Sequence, residues 1–210
     1  MRTTKRFNPK VLARFFREGR GTGQYETYIP WHRVSRGDPS SRGRSHLLMW
    51  KGRQRELLSD GEWDKTLFAT MLPNLKDLQE QFPLSAEPCD HELTIYTTRA
   101  PQGKLPGTKA IADQLKIPHP TISGKDETVN WVPTTDLLLI LETLNGTLEL
   151  LAVSVKSSAQ LTRSVRRSLA FEKAYWDARQ VRWLLITPEQ SDKRVALTLR
   201  CSKASDRRAL

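Results

Sequence analysis

Apolar positions cluster most densely in two runs, Leu137-Leu138-Leu139-Ile140-Leu141 and Leu148-Glu149-Leu150-Leu151-Ala152-Val153-Ser154-Val155. Both are short and bounded by polar or turn-forming residues, the pattern of strands rather than helices. Asn145-Gly146 between them is a strong hairpin signal, so the two runs are expected to pair. Asp136 heads the first run and Lys156 ends the second. Pairing through the turn therefore brings these two residues, distant in sequence, to the same end of one sheet.

The remaining pattern surrounds this pair with helices and further strands. Residues 8–18 read as a short helix with Asn8 as N-cap and Pro9 in its first position, ending at Gly19-Arg20-Gly21-Thr22-Gly23. Those glycines neither follow a strand nor open a helix, which argues against a phosphate-cradling loop. Strands are expected near His46–Trp50 and Arg55–Leu58. Ser59-Asp60-Gly61-Glu62 then opens a helix with Trp63, Leu67, Phe68, Met71 and Leu72 at helical spacing, stopped by Pro73. Leu78–Leu84 reads as a strand. Residues 85–130, where prolines accumulate, read mostly as connection, with a short helix around Asp113–Leu115. Residues 162–180 predict a helix turning Val165, Leu169, Phe171, Tyr175 and Trp176 inward, and Val181–Thr187 a buried strand. Beyond Pro188 the chain is polar and basic, and no element is assigned there. Helices packed on a central sheet make this an α/β fold.

Charge sharpens the picture. The 210 residues carry a net charge of +11, and residues 1–55 hold 14 Lys/Arg against only Glu18, Glu26 and Asp38. The rest of the chain is neutral. A basic block of this kind attracts a polyanion by counterion release, and Phe15, Phe16, Tyr25, Tyr28, Trp31 and Trp50 within it argue against a disordered tail. Nucleic-acid contact is expected, with Arg20, Arg33, Arg42, Arg44, Lys51 and Arg53 as candidate contacts. No secretory signal or membrane-spanning run is visible, and Cys89 and Cys201 show no metal-ligand spacing, so a reducing cytoplasm is expected.

A carboxylate for a metal ion beside a lysine for a phosphate or water is the minimum equipment of a metal-dependent nuclease. Asp136 and Lys156 meet that description, Glu62 is the natural second carboxylate, and the Val155 carbonyl is a further oxygen ligand. Magnesium, which prefers oxygen ligands and keeps several waters, is the expected ion, with manganese as its substitute in vitro. Ser59-x-x-Glu62 also matches a capping box, in which the glutamate serves only the helix end. Glu172, among aromatics on the helix after Lys156, is open to a simple ion-pair role.

In order along the chain, several short motifs resemble the TnsA endonuclease subunits of heteromeric cut-and-paste transposases. They are Gly19-Arg20-Gly21 with Tyr28-Ile29-Pro30-Trp31, Arg42-Gly43-Arg44-Ser45-His46, Leu57-Leu58-Ser59-Asp60-x-Glu62, and Asp77-Leu78-x-Glu80-Gln81-Phe82-Pro83-Leu84. His119-Pro120, Thr135-Asp136, Val155-Lys156 and Glu172-x-x-Tyr175-Trp176 complete the series. The resemblance implies a restriction-endonuclease-like fold with a PD-(D/E)xK site. Glu62 and Asp136 would be metal carboxylates, Lys156 the catalytic lysine and Glu172 an additional acid near the metals. It also implies cutting of the 5′ (non-transferred) strands at transposon ends, beside a DDE-type transposase and an AAA+ regulator, in a bacterial cytoplasm on nucleoid DNA.

Two departures accompany the resemblance. Ser154 stands where the family pattern carries Glu or Gln two residues before the lysine. About twenty residues follow Thr187, so the winged-helix domain of longer members is expected to be absent. The expected organisation is a basic segment at 1–55, a catalytic core at 56–187 and a basic tail at 188–210. Two alternatives remain open at this point: a DNA-binding scaffold with a weakened site, and a stand-alone nuclease of the same fold.

Overall fold

The computed structural model describes residues 7–35, 44–125, 127–187, 190 and 192–206. Arg42 and most of the Pro/Ser stretch around it lie outside these. In chain order the elements are α1 (Pro9–Arg17), β1 (His46–Trp50), β2 (Arg53–Leu57), α2 (Asp60–Thr70), β3 (Leu75–Pro83), α3 (Thr108–Gln114), β4 (Thr121–Ser123), β5 (Thr128–Asn130), β6 (Thr134–Glu142), β7 (Leu148–Val155), α4 (Arg163–Asp177), β8 (Arg182–Ile186) and α5 (Lys193–Asp206). The central sheet has the order β3-β6-β7-β8, with the β3–β6 and β6–β7 pairs antiparallel and β8 parallel to β7. This is a mixed α/β sheet flanked by helices, consistent with the restriction-endonuclease-like fold. No described helix is long and apolar enough to cross a membrane.

The hairpin forms because the residues that prefer pleated, buried surfaces flank a turn that only a positive φ can close. Gly146 takes φ +73°, and its N–H donates to Thr143 O. Antiparallel register then pairs Leu137 with Val153 and Leu141 with Glu149. β6 is buried on both faces from Thr135 to Leu141 because helices cover each side. On one side, Leu138, Ile140 and Ala152 pack with Phe171, Tyr175 and Trp176 of α4. On the other, Leu137, Leu139 and Val153 pack with Leu67 and Ala69 of α2.

Four expectations are revised. Val181–Thr187 is an edge strand rather than a buried one, with Leu184 45% exposed, because no further strand follows β8 among the described residues. Residues 121–130 form a small hairpin whose three-residue strands are too short to show alternation. The stretch beyond Pro188 contains α5, anchored on α2 by Arg200 Nε to Asp64 Oδ1 at 2.7 Å and by the Arg200 guanidinium over Trp63. Finally, α2 leaves Met71 and Leu72 exposed and buries Glu62, Lys65 and Thr66.

The basic N-terminal segment folds onto the sheet. α1 packs Leu12 and Phe15 with Trp31, Ile122 and Val132, joining the N-terminus to the β4–β5 hairpin. The hairpin β1–β2 runs across residue 55, the boundary expected from charge alone.

Candidate active site

Strand register brings the ends of β6 and β7 together, and Asp136 Oδ2 accepts hydrogen bonds from the Val155 N–H and from Lys156 Nζ, each at 2.7 Å. Lys156 Nζ also donates to the Val155 carbonyl at 3.0 Å. Burial disfavours the ammonium, but Asp136, Glu172 and Glu62 outweigh it and hold the lysine pKa above its ordinary value. Its acidic neighbours thus favour the charged form of Lys156. Oδ1 of Asp136 accepts no hydrogen bond among the described residues.

α2 delivers Glu62. Ser59 caps the helix by accepting from the Glu62 N–H at 3.1 Å. The glutamate carboxylate in turn accepts from the Leu58 N–H at 2.9 Å and from Ser59 Oγ at 3.2 Å. The cap is thus real, and it coexists with proximity to the site. A Cβ on Gly61 would meet Val155 Cγ1 at 3.1 Å, so glycine there lets the helix start approach the end of β7 closely. The Glu62 carboxyl is pushed up to about 7, by burial first and by the Asp136 charge second.

Glu172 arrives from α4. Its Oε1 accepts from Thr135 Oγ1 at 2.8 Å, Ser154 Oγ at 2.6 Å and Trp183 Nε1 at 3.2 Å, while Oε2 accepts none among the described residues. Trp176 Nε1 donates to Thr135 Oγ1 and steadies the group from behind. Burial, then Asp136, raises the Glu172 carboxyl to about 7 as well. Ser154, the departure from the family pattern, thus holds the carboxylate of Glu172 at this end of β7. Asp136, Lys156 and Glu172 line one cleft of about 380 Å³, with Pro120, Trp131 and Val165 among its walls.

The donor set fits a hard divalent cation. Glu62, Asp136 and Glu172 each have one oxygen engaged more heavily than the other, leaving acceptor capacity on Glu62 Oε1, Asp136 Oδ1 and Glu172 Oε2. Burial first, and the Asp136 charge second, raise Glu62 and Glu172. No three His, Cys, Asp or Glu side chains among the described residues are grouped closely enough to hold an ion alone. An ion here would keep waters or take phosphate oxygens, as magnesium does.

The candidate DNA contacts separate into distinct groups. Arg20 and Arg53 are corrected: both are buried, and their charge is spent inside the fold. Arg20 donates to Glu18 at 2.7 Å and to Trp31 O, over the Phe15 ring. Arg53 forms a two-pronged pair with Glu80 at 2.7 and 2.6 Å. Lys51 donates to Leu75 O and Lys76 O, at the end of the sheet remote from Asp136. Arg33 and Arg44 are exposed but tied to Glu56 and Asp60. Sequence reading overlooked Arg163, Arg166 and Arg167, exposed on the first turns of α4 beside the cleft-lining Val165 and Ser168. The signal was present: that first turn has no acid, although helix starts favour acids.

The family described as "TnsA-like endonuclease N terminal" matches residues 73–188. This chain belongs to that TnsA-like family. Asp136, Val155, Lys156 and Glu172 fall inside the matched segment, and Glu62 precedes it. The "Transposon Tn7 transposition protein TnsA" of Escherichia coli is 33% identical over 187 residues, covering 88% of this chain and 59% of that protein. The chain thus spans about three-fifths of the length of that TnsA relative.

Proposed function

We propose that this chain is the nuclease subunit of a cut-and-paste transposon, hydrolysing the 5′ (non-transferred) strand at each transposon end with magnesium. The observation that carries this reading is the Asp136–Lys156 pair at 2.7 Å at one end of the sheet, sharing its cleft with Glu172 and close enough to Glu62 for their charges to be felt there. Glu62 and Asp136, with the Val155 carbonyl, would hold the ion, and Glu172 would complete its surroundings. When bound, the ion supplies charge neutralisation at the phosphodiester and a more acidic water. Lys156, kept charged by Asp136, offers a compact cation to the scissile phosphate. Similarity to a TnsA protein supports double-stranded transposon-end DNA and a DDE-type transposase as partners, and an AAA+ regulator belongs to the same proposal.

The test is strand-resolved cleavage of end-labelled transposon-end duplexes with magnesium and the partner transposase. A nick on the 5′ strand is expected. Cutting confined to the 3′ strand, or none with an active transposase present, would overturn the proposal.

Arg163 and Arg167 give the DNA contact a test of its own. No acid pairs with either among the described residues, and both are exposed on the first two turns of α4, the helix that also supplies the cleft-lining Val165 and Ser168. Arg163→Ala with Arg167→Ala is expected to lower duplex affinity by about tenfold at 0.1 M salt and to reduce the salt slope by about 2, since each phosphate contact contributes roughly 0.9. Electrophoretic shifts at several salt concentrations measure both. An unchanged slope would remove these arginines from the interface.

Proton–metal competition is the second test. Glu62 and Glu172 titrate near 7 when folded, against an ordinary value of 4.5. A raised carboxyl favours the protonated folded state, so the stability it contributes is present below about 4.5 and is lost as pH rises through 7. A cation that replaces those protons restores it. Magnesium is therefore expected to raise the melting temperature more at pH 8 than at pH 6. Below pH 7, its apparent affinity should fall about tenfold per pH unit for each proton displaced. Equal stabilisation at both pH values would contradict the assignment.

A further inference from the structure

One side chain near the site is held in a conformation its residue type disfavours. Gln81 lies in β3 with φ +51°, in the left-handed region where an L side chain crowds its own backbone. It is 3% exposed. Register pairs Glu80 with Leu137 and Phe82 with Thr135, which sets Gln81 across from Asp136 on the neighbouring strand. Its carbonyl accepts from the Trp31 N–H at 3.3 Å, so the N-terminal segment buttresses the distorted position from outside. Strain of this kind persists where surrounding structure enforces it, and it clusters at functional sites.

The Gln81 amide shows what the distortion accomplishes. Nε2 donates to Glu62 Oε2 at 3.1 Å, and Oε1 accepts from Thr134 Oγ1 at 3.4 Å, two residues before Asp136. Glu62 Oε2 already accepts from the Leu58 N–H. With Gln81 added, that oxygen has both lone pairs occupied. Oε1 has only the Ser59 hydroxyl and keeps one lone pair. The helix cap alone places one donor on each oxygen, so it is the Gln81 amide that makes the two oxygens unequal.

We propose that Gln81 is a positioning residue for Glu62: its amide fixes the carboxylate so that Oε1 serves the metal while Oε2 serves the helix cap. The inference rests on the metal-dependent reading above and adds a residue to it. Gln81 touches neither DNA nor metal and acts only through Glu62. Outer partners of metal ligands typically alter affinity 10- to 100-fold.

The test uses the full chain and Mn²⁺ as the probe, with binding followed by titration calorimetry. Two variants separate side chain from backbone. Gln81→Met keeps the side-chain length and removes the amide. Gln81→Gly removes the amide but accepts the positive φ without strain, so its metal-free melting temperature should not fall below that of Gln81→Met. Both are expected to weaken Mn²⁺ binding about tenfold, with duplex affinity in EDTA unchanged within about twofold. Wild-type Mn²⁺ affinity in both variants would overturn the inference while leaving the nuclease reading intact. Absence of Mn²⁺ binding by the wild type would overturn both. A loss of metal affinity that tracks loss of metal-free stability and duplex affinity would mark Gln81 as merely structural and overturn the positioning role.

Discussion

Asp136→Ala is expected to reduce strand cleavage by about 10³-fold, close to 4 kcal/mol of transition-state stabilisation, while duplex affinity stays within about twofold of wild type. The asymmetry follows from where the charges sit. Asp136 shares its cleft with Glu172 and Lys156, and the exposed arginines of α4 proposed above as phosphate contacts are not part of its lining. Removing a negative charge cannot weaken the attraction of DNA. Alanine also leaves the Val155 N–H without the acceptor it has at 2.7 Å, so part of the loss in that variant reflects folding. Asp136→Asn removes that objection. An amide oxygen can still accept from Val155, but it carries no charge for a metal or for Lys156. If Asp136→Asn melts like the wild type and does not cut, the carboxylate charge is the cause. If it cuts at the wild-type rate, Asp136 is not a metal ligand, and the cutting belongs to another site or to the partner subunit.

The sequence made the hairpin legible because two local rules agreed. The apolar runs demanded strands, and Asn-Gly demanded a turn with positive φ, so Asp136 and Lys156 had to meet. Glu62 was legible only as an ambiguity, since the capping box and the ligand role use the same residue, and the structure supports the cap without excluding the other. What stayed hidden depends on contacts distant in sequence. Nothing local to Ser154 announces that Glu172, on the next helix, bonds to it at 2.6 Å. Nothing local to Gln81 announces a reversed φ in a strand. Charge density misled most where it was highest: residues 1–55 are basic, but several of their arginines balance Asp77, Glu80 and Glu56, acids of the core that a count by segment assigns elsewhere.

Arg53→Ala is accordingly expected to be strongly destabilising, although Arg53 lies in the basic segment. Arg53 donates twice to Glu80, whose side chain is fully buried, and again to Leu78 O at 3.2 Å. Burial pushes the Glu80 carboxyl up despite the opposing pull of Arg53. Without Arg53, the nearest remaining cation is Arg55, at 3.8 Å, and it already serves Leu78 O. Leaving one member of a buried pair costs about 3–5 kcal/mol, which in a chain of this size lowers the melting temperature by roughly 10 °C. The orphaned Glu80 can recover part of that by taking a proton, so the loss should be smaller at pH 5 than at pH 8. Adding Glu80→Gln to Arg53→Met should recover much of the stability, because the amide oxygen still accepts from the Glu56 N–H, now at 3.0 Å from Glu80 Oε1, and no charge is stranded. Urea titration at the two pH values measures all of this. The competing expectation, that Arg53 grips DNA, predicts a normally stable variant whose salt slope for duplex binding falls by about 0.9. A stable Arg53→Ala with that slope change would return Arg53 to the interface and remove it from the core.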